Sequence, residues 1–563
     1  MFQSILFISR INIKVAIGTM KSEKIVLVFL ILWNLCILAS GQCSVTMKQG
    51  LTQVQGIGAM NIAPSGQYFC SFLSIPYAKP PVGPLRFEPP QPIDLSAYSY
   101  IWDFRFRSPV CIQNPVFINI THDQGQENCL YLNVYTKPTY WHSLKPVIIW
   151  VHGGLFNYGH AYFVDADRPD LLVDEDVVVV TFNYRLGVLG FLYREGEGIA
   201  GNNGLRDQQE VFKWVQRNIV AFGGDPKRVT LMGWSAGSAA IAYHLQAPSS
   251  LGLFHGAIML SGVNFNPWAY QRSNEECVKI LCNNLGIPCT RGGLKNTLKQ
   301  IPADIFGSYD FNYNLTVSYF GEPWACFVPT FDGGDAPLGK AMVQSRHQKL
   351  KLQPIISDVP LMIGYTVSEI WYLIRANRNS LGAKWNYSYP YTKPNVISPL
   401  RHFLLSKSKE LNNYSKELIG GSAITFGVQK FADYYSGAAI SDTYLYRFSH
   451  KNTSNDIGAF HTDDLAYIFI PSDPTKQRTY EDALVRYRFV RYITNFAKFG
   501  NPTPKKDVAI TTKWVPYSKT GLRMEISHES KMVKDVKDEQ FHRWEAISQC
   551  LEFNLCNKFF KIT

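Results

Sequence analysis

Four short apolar runs constrain this chain most: KPVIIWVHGG, EDVVVVTFNYR, KRVTLMGWSAG and HGAIMLSG. The first carries five consecutive apolar residues, Val147 to Val151, before His152-Gly153-Gly154, and the second has four valines in a row. Such runs are too short for most helices. They are apolar at odd and even positions alike and rich in Val and Ile, which suits strands covered on both faces of a largely parallel sheet. Between the second and third runs, LRDQQEVFKWVQRNIVAFGGD places Val211, Phe212, Val215, Ile219 and Val220 at helical spacing, and Gly223-Gly224 ends the helix. Strand, helix, strand is a crossover, nearly always right-handed, and ligands of such sheets bind at the carboxyl ends of the strands. The glycines after the first run and Ser235 after the third both fall on that edge.

Gly-Trp-Ser-Ala-Gly, residues 233–237, ends an apolar strand and runs into small residues suited to a helix start. The pattern alone is unspecific, because Gly and Ser are common in turns. Its chemistry is definite, however. A serine hydroxyl is a poor nucleophile until a base takes its proton, and the oxyanion it forms needs preorganised N–H donors. At a strand-to-helix elbow the serine projects outward and the N–H of the next residue, Ala236, faces the reacting carbonyl. The HGGLF loop offers further N–H groups from Gly153, Gly154 and Leu155, so two separated glycine motifs fit two halves of one oxyanion hole. For the base, NDIGAFHTDDLAYIFIP sets His461 after a glycine and before an apolar-aromatic run; for the acid, DVPLMIGYTVSEIWYLI sets Glu369 beyond another short strand. On spacing alone, other histidines and carboxylates compete with both.

From about Val54 to about Trp544 the sequence resembles the type-B carboxylesterases, which include cholinesterases and the secreted insect carboxylesterases. IPYAKPPVGPLRFEPPQP is similar to the family's first signature and ENCLYLNVY to its second, and FNYRLGVLGFL, GNNGLRDQQEVFKWVQRNIVAFGGDPKRVTLMGWSAG and FAKFGNPTP follow in family order. The resemblance implies an α/β-hydrolase fold, with a central, mostly parallel sheet flanked by helices in one large domain. It places Ser235 on the nucleophile, Glu369 on the acid and His461 on the base, in the order Ser, acid, His that this fold uses. It implies a disulfide between Cys111 and Cys129, a second family pair in the region of Cys277, Cys282 and Cys289, and an Arg86–Glu127 ion pair pinning the signature loop. The expected reaction is hydrolysis of a small-molecule ester through an acyl-enzyme, with no metal or organic cofactor.

Three departures from the family pattern matter. Trp234 stands where the family usually has Glu before the nucleophile. Leu155 replaces a third glycine of the oxyanion loop; its N–H survives, but a Cβ restricts the backbone and narrows the pocket. Where cholinesterases carry an aromatic cation site, this chain has the NIT sequon at Asn119 with no Trp nearby, so a platform for choline is missing. The expectation is an esterase for neutral, largely apolar esters. The alternatives are a cholinesterase, or a catalytically inactive recognition or adhesion protein on the same fold. A lipase acting at membranes would need an amphipathic lid, and none is evident.

Composition addresses compartment and partners. The chain has 563 residues, 46% hydrophobic and 18% charged, enough to bury a large core, with no repeat, heptad run, low-complexity tract or linker rich in Pro, Gly and Ser. MKSEKIVLVFLILWNLCILASG, from Met20 to Gly41, reads as a secretory signal peptide preceded by an upstream segment, Met1 to Thr19. One domain over 42–563 is then expected, secreted and extracellular. Sequons at Asn119, Asn314, Asn386, Asn413 and Asn452, and ten cysteines of eleven remaining after cleavage, agree with export. The last residues, LEFNLCNKFFKIT, contain no apolar tail, so no membrane anchor is expected. Formal charge is +12, about +9 without residues 1–41, with no dense basic cluster interleaved with aromatics; nucleic-acid binding is not expected. The oligomeric state is left open.

Overall fold

The computed structural model describes residues 42–49, 52–95, 101–113, 125–138, 143–162, 168–271, 274–308, 316–319, 322–332, 341–343, 353–369, 424–450, 458–470, 479–538, 541–542 and 544–545. The segment read as a signal, the asparagines of all five sequons, Cys550 and Cys556 lie outside the described residues.

The apolar runs form the middle of a 13-stranded sheet. In chain order its strands are β1 (Gln42–Gln49), β2 (Thr52–Ile62), β3 (Tyr68–Pro76), β4 (Tyr131–Thr136), β5 (Lys145–Val151), β6 (Val178–Phe182), β7 (Gly224–Trp234), β8 (Gly256–Leu260), β9 (Leu361–Thr366), β10 (Thr443–Phe448), β11 (Leu522–Ile526) and β12 (Lys531–Lys534). They lie in the order β1-β2-β3-β4-β6-β5-β7-β8-β9-β10-β11-β12, and the short strand Trp102–Asp103 pairs with β2. Every pairing from β6 through β11 is parallel, whereas β1 to β4 and the β11–β12 pair are antiparallel. This is the mostly parallel, helix-flanked sheet of an α/β-hydrolase.

The apolar runs are buried on both faces because two layers of helix need them. Val147, Ile149 and Val151 of β5 pack into one core cluster, while Ile148 and Trp150 between them pack into another. The period of two along a strand makes that division. Helices α1 (Asn203–Asn218), α2 (Ala236–Gln246) and α3 (Phe426–Ala438) supply the first layer through Val211, Phe212, Ile241, Tyr243, Val428 and Phe431. Helix α4 (Tyr480–Phe499) supplies the second through Val485, Phe489, Ile493 and Phe496. One sequence expectation needs correction. Val220 does not belong to the buried face of α1: the helix ends at Asn218, a 3₁₀ turn over Ile219–Phe222 follows, and Val220 is 52% exposed. The tighter turn rotates Val220 outward before Gly223, at φ +76°, reverses the chain.

Four disulfides staple the described residues, and the bond from Cys43 to Cys70 joins β1 to β3. Cys111 is bonded to Cys129, and further bonds join Cys43 to Cys70, Cys277 to Cys326 and Cys282 to Cys289. Cys277 reaches Cys326, beyond a short helix over Leu294–Lys299. Arg86 meets Glu127 through two hydrogen bonds of 2.6 Å and donates to the Ile301 carbonyl, which ties the signature loop to the segment after that helix. Among the described residues no helix is long and apolar enough to cross a membrane.

Candidate active site

The carboxyl ends of β5, β7, β8 and β9 converge on Ser235. This residue links β7 to α2 with φ +54° and ψ −119°, outside the regions an L-residue prefers, at a cost of about 1–3 kcal/mol. The glycines around it have steric causes. A Cβ on Gly237 would stand 2.0 Å from the Val151 carbonyl oxygen, and one on Gly233 would stand 2.6 Å from the Gly237 carbonyl carbon. The elbow therefore closes only with hydrogen at both positions. Leu260 at the end of β8 accepts the Ser235 N–H at 2.8 Å, and the Ser235 carbonyl accepts from Ala239 at 2.9 Å, so the strained turn is held from both sides.

His461 stands over the serine. Its Nε2 lies 3.0 Å from Ser235 Oγ and its Nδ1 lies 2.6 Å from Glu369 Oε2. With the proton on Nδ1 donated to the carboxylate, Nε2 offers a lone pair to the serine hydroxyl. Ser261 Oγ donates to Glu369 Oε1 at 2.6 Å and the Thr366 N–H donates to the same oxygen at 2.8 Å. Glu369 is only 3% exposed, so these donors replace the water it has lost. The turns carrying Glu369 and His461 are joined by an isolated parallel bridge, Ser368 with Phe460, in which the Ser368 N–H donates to the Ala459 carbonyl. Ser235 and His461 are 5% and 7% exposed, so the constellation lies in a dry recess.

The oxyanion-loop candidates sit across from the elbow. Gly154 has φ +110°, and Leu155 and Phe156 follow in the left-handed region at +50° and +60°. Asn157 and Tyr158 donate their N–H groups to the Gly154 carbonyl, and the Asn157 side chain donates to the Leu155 carbonyl at 2.8 Å, which holds the loop in that shape. Among the described residues, the N–H groups of Gly154, Leu155 and Ala236 enter no backbone hydrogen bond. Gly153 lies against the neighbouring strand end, where a Cβ would meet the Trp234 ring at 2.5 Å. Beneath the loop, burial pushes His152 down to about 3, so its ring is neutral. That ring stacks on Tyr184 with centroids 4.2 Å apart, and Nδ1 bonds the Gly153 carbonyl at 2.9 Å.

Two neighbours of the site escape inference from sequence. Ser261 closes the HGAIMLSG run, and its place directly after a buried strand at the same sheet edge was the signal that could have found it. Asp464 lies three residues past His461 and is fully buried. Burial first, and then the charge of Glu369, push its carboxyl well above the usual range and favour its neutral form. Among the described residues no three His, Cys, Asp or Glu side chains come together as metal ligands.

A family model described as carboxylesterase family matches residues 42–544. Juvenile hormone esterase of Tribolium castaneum is 31% identical over 501 residues, covering 80% of this chain and 83% of that protein. Pyrethroid hydrolase Ces2e of Rattus norvegicus is 32% identical over 468 residues, covering 77% and 78%. Among solved structures, that of juvenile hormone esterase from Manduca sexta, with OTFP covalently attached, superposes with a TM-score of 0.75 at 26% identity, covering 92% of this chain and all of that one. The protein is thus a carboxylic ester hydrolase, and the chain belongs to the carboxylesterase family.

Proposed function

We propose that this protein is a secreted serine esterase for neutral, largely apolar esters, with Ser235 as nucleophile, His461 as general base and Glu369 as the orienting acid. The observation that carries the proposal is the unbroken hydrogen-bond chain from Glu369 through His461 to Ser235. In the acylation step His461 Nε2 takes the hydroxyl proton as Oγ attacks the ester carbonyl carbon, and Glu369 stabilises the imidazolium that forms. The N–H groups of Gly153, Gly154, Leu155 and Ala236 form the oxyanion hole. His461 then returns the proton to the departing alkoxide, and a water activated by the same nitrogen releases the acid.

The continuous chain also weighs against a catalytically inert recognition protein, which would have no need to keep a strained serine beside a correctly oriented imidazole. Export is supported by the segment from Met20 to Gly41, by the sequons and by four disulfides, which persist in oxidising compartments. The preference for neutral esters rests on Trp234, an uncharged side chain at the nucleophile's shoulder.

Ser235→Ala, purified from the medium, tests the assignment. Loss of roughly 10⁶-fold in kcat with an unchanged melting transition is expected. Organophosphate treatment of the wild type should add its mass only to the peptide containing GWSAGS. Activity within about tenfold of wild type in Ser235→Ala would refute the mechanism.

A further inference from the structure

Trp234 precedes the nucleophile, yet its side chain reaches across the recess to the base. Its indole N–H donates to the His461 carbonyl at 2.8 Å, a contact between residues 227 apart in sequence. Its ring lies against the imidazole with centroids 4.7 Å apart at an interplanar angle of 40°. The same ring covers Gly153, whose α-carbon has no room for a methyl beneath it. One half-buried side chain thus touches the base twice and the oxyanion loop once.

We infer that Trp234 is a positioning residue for the esterase reaction, which fixes the His461 main chain through its indole N–H and favours the imidazolium that forms during catalysis through its ring. The inference rests on His461 being the base. Its two parts have separate physics. A hydrogen bond to the carbonyl of His461 fixes the backbone from which the imidazole hangs, so that Nε2 stays 3.0 Å from Oγ. An aromatic face within about 6 Å attracts a cation by its quadrupole, and indole is the best of the side chains at this. The attraction is weak toward neutral imidazole and stronger toward imidazolium, so it acts mainly as the proton moves. A dry site strengthens it.

The titratable groups around His461 leave room for this effect. Glu369 faces Nδ1 from the turn after β9. Asp463 and Asp464 lie on the base's own turn; burial pushes both carboxyls up, and Asp463 accepts the Phe460 N–H at 2.7 Å. β7 contributes no charge at its carboxyl end, only the indole and the serine hydroxyl.

Three proteins separate the parts: wild type, Trp234→Phe and Trp234→Leu, assayed with 4-nitrophenyl butyrate from pH 5 to 9. Phe keeps a ring and loses the donor, so kcat should fall about 5-fold, the worth of one neutral hydrogen bond. Leu loses both, so kcat should fall about 15-fold with KM changed by less than about threefold. In Trp234→Leu the acid limb of the kcat/KM profile should also move about half a pH unit lower, because the imidazolium loses its aromatic neighbour. A packing role alone would lower the rate and leave that limb in place. The inference is overturned if both variants stay within about twofold of wild type in kcat, if KM rises while kcat holds, or if activity falls without movement of the acid limb. Should Trp234→Leu fail to fold, Trp234→Phe decides, and kcat within about twofold of wild type overturns the positioning role. Ser235→Ala serves as the control: an inert Ser235→Ala beside unaffected Trp234 variants overturns this inference alone, whereas an active Ser235→Ala overturns the assignment of the base on which it stands.

Discussion

The two sides of the proposed active site are held by different means. At the ends of β5 and β7 the backbone decides. Ser235 and the Gly154–Leu155 turn adopt positive φ, and Gly233 and Gly237 are present because strand, helix and loop approach too closely for a side chain. At the ends of β9 and β10 polar side chains decide. Glu369 is held by Ser261 and Thr366, and it holds His461 in turn. The backbone-held side has no space for added atoms, whereas the other side has no tolerance for a lost hydrogen bond.

The strongest challenge to this contrast is Glu369→Gln. The amide oxygen would keep the donors from Ser261 and Thr366, turning the NH₂ toward His461 Nδ1. That forces the imidazole proton onto Nε2, where it can no longer accept the serine proton, so kcat should drop roughly 10⁴-fold while the fold stays intact. A loss below about tenfold would show that the carboxylate does not select the tautomer. Gly237→Ala tests the opposite side. The new methyl would meet the Val151 carbonyl at 2.0 Å, so helix and strand must part, and a shift of Ser235 Oγ of about 1 Å should cost roughly 10²-fold in kcat, with a lower melting temperature. Wild-type activity and stability in this variant would remove the steric account of the elbow.

Ser261→Ala should act more gently. Glu369 keeps the Thr366 N–H and His461 but loses one donor, so kcat should fall about tenfold, the worth of a hydrogen bond to a charged group. The smallest effect is expected where the two sides touch, at Trp234. Butyrylthiocholine and its uncharged 3,3-dimethylbutyl analogue should give nearly equal kcat/KM, since the indole is already engaged with His461 and Gly153 and no carboxylate stands at its position. A preference above about tenfold for the charged ester, some 1.4 kcal/mol, would reveal cation recognition and favour a cholinesterase.

The same division explains what could be read without coordinates. The parallel centre of the sheet was legible because a strand buried on both faces needs an apolar run, unbroken in β5, β6 and β8 and interrupted only by Thr230 in β7. The meeting of Ser235 with the Gly153–Leu155 loop at one sheet edge was legible because close backbone approach leaves glycine as its trace. Glu369 and His461 stood out only through the family resemblance, since a carboxylate and a histidine on turns carry no local pattern. Ser261 was marked only by its place after a buried strand and Trp234 by nothing that shows its reach: their partners lie 108 and 227 residues away, and a sequence does not record which residue is contacted at that separation. Val220 was placed on the wrong face because apolar spacing runs smoothly through the change from α to 3₁₀ geometry.

The strained turns carry a consequence for how this protein wears out. Leu155, Phe156, Ser235 and Ser261 all have positive φ, and all sit at the ends of three neighbouring strands. Each holds about 1–3 kcal/mol that the sheet behind it must restrain. When thermal motion loosens that restraint, these turns gain most by relaxing, while the strands beneath them lose little. Inactivation by heat should therefore be a local event at the rim of an intact sheet, reversible on cooling, and it should set in below the temperature at which the molecule as a whole comes apart.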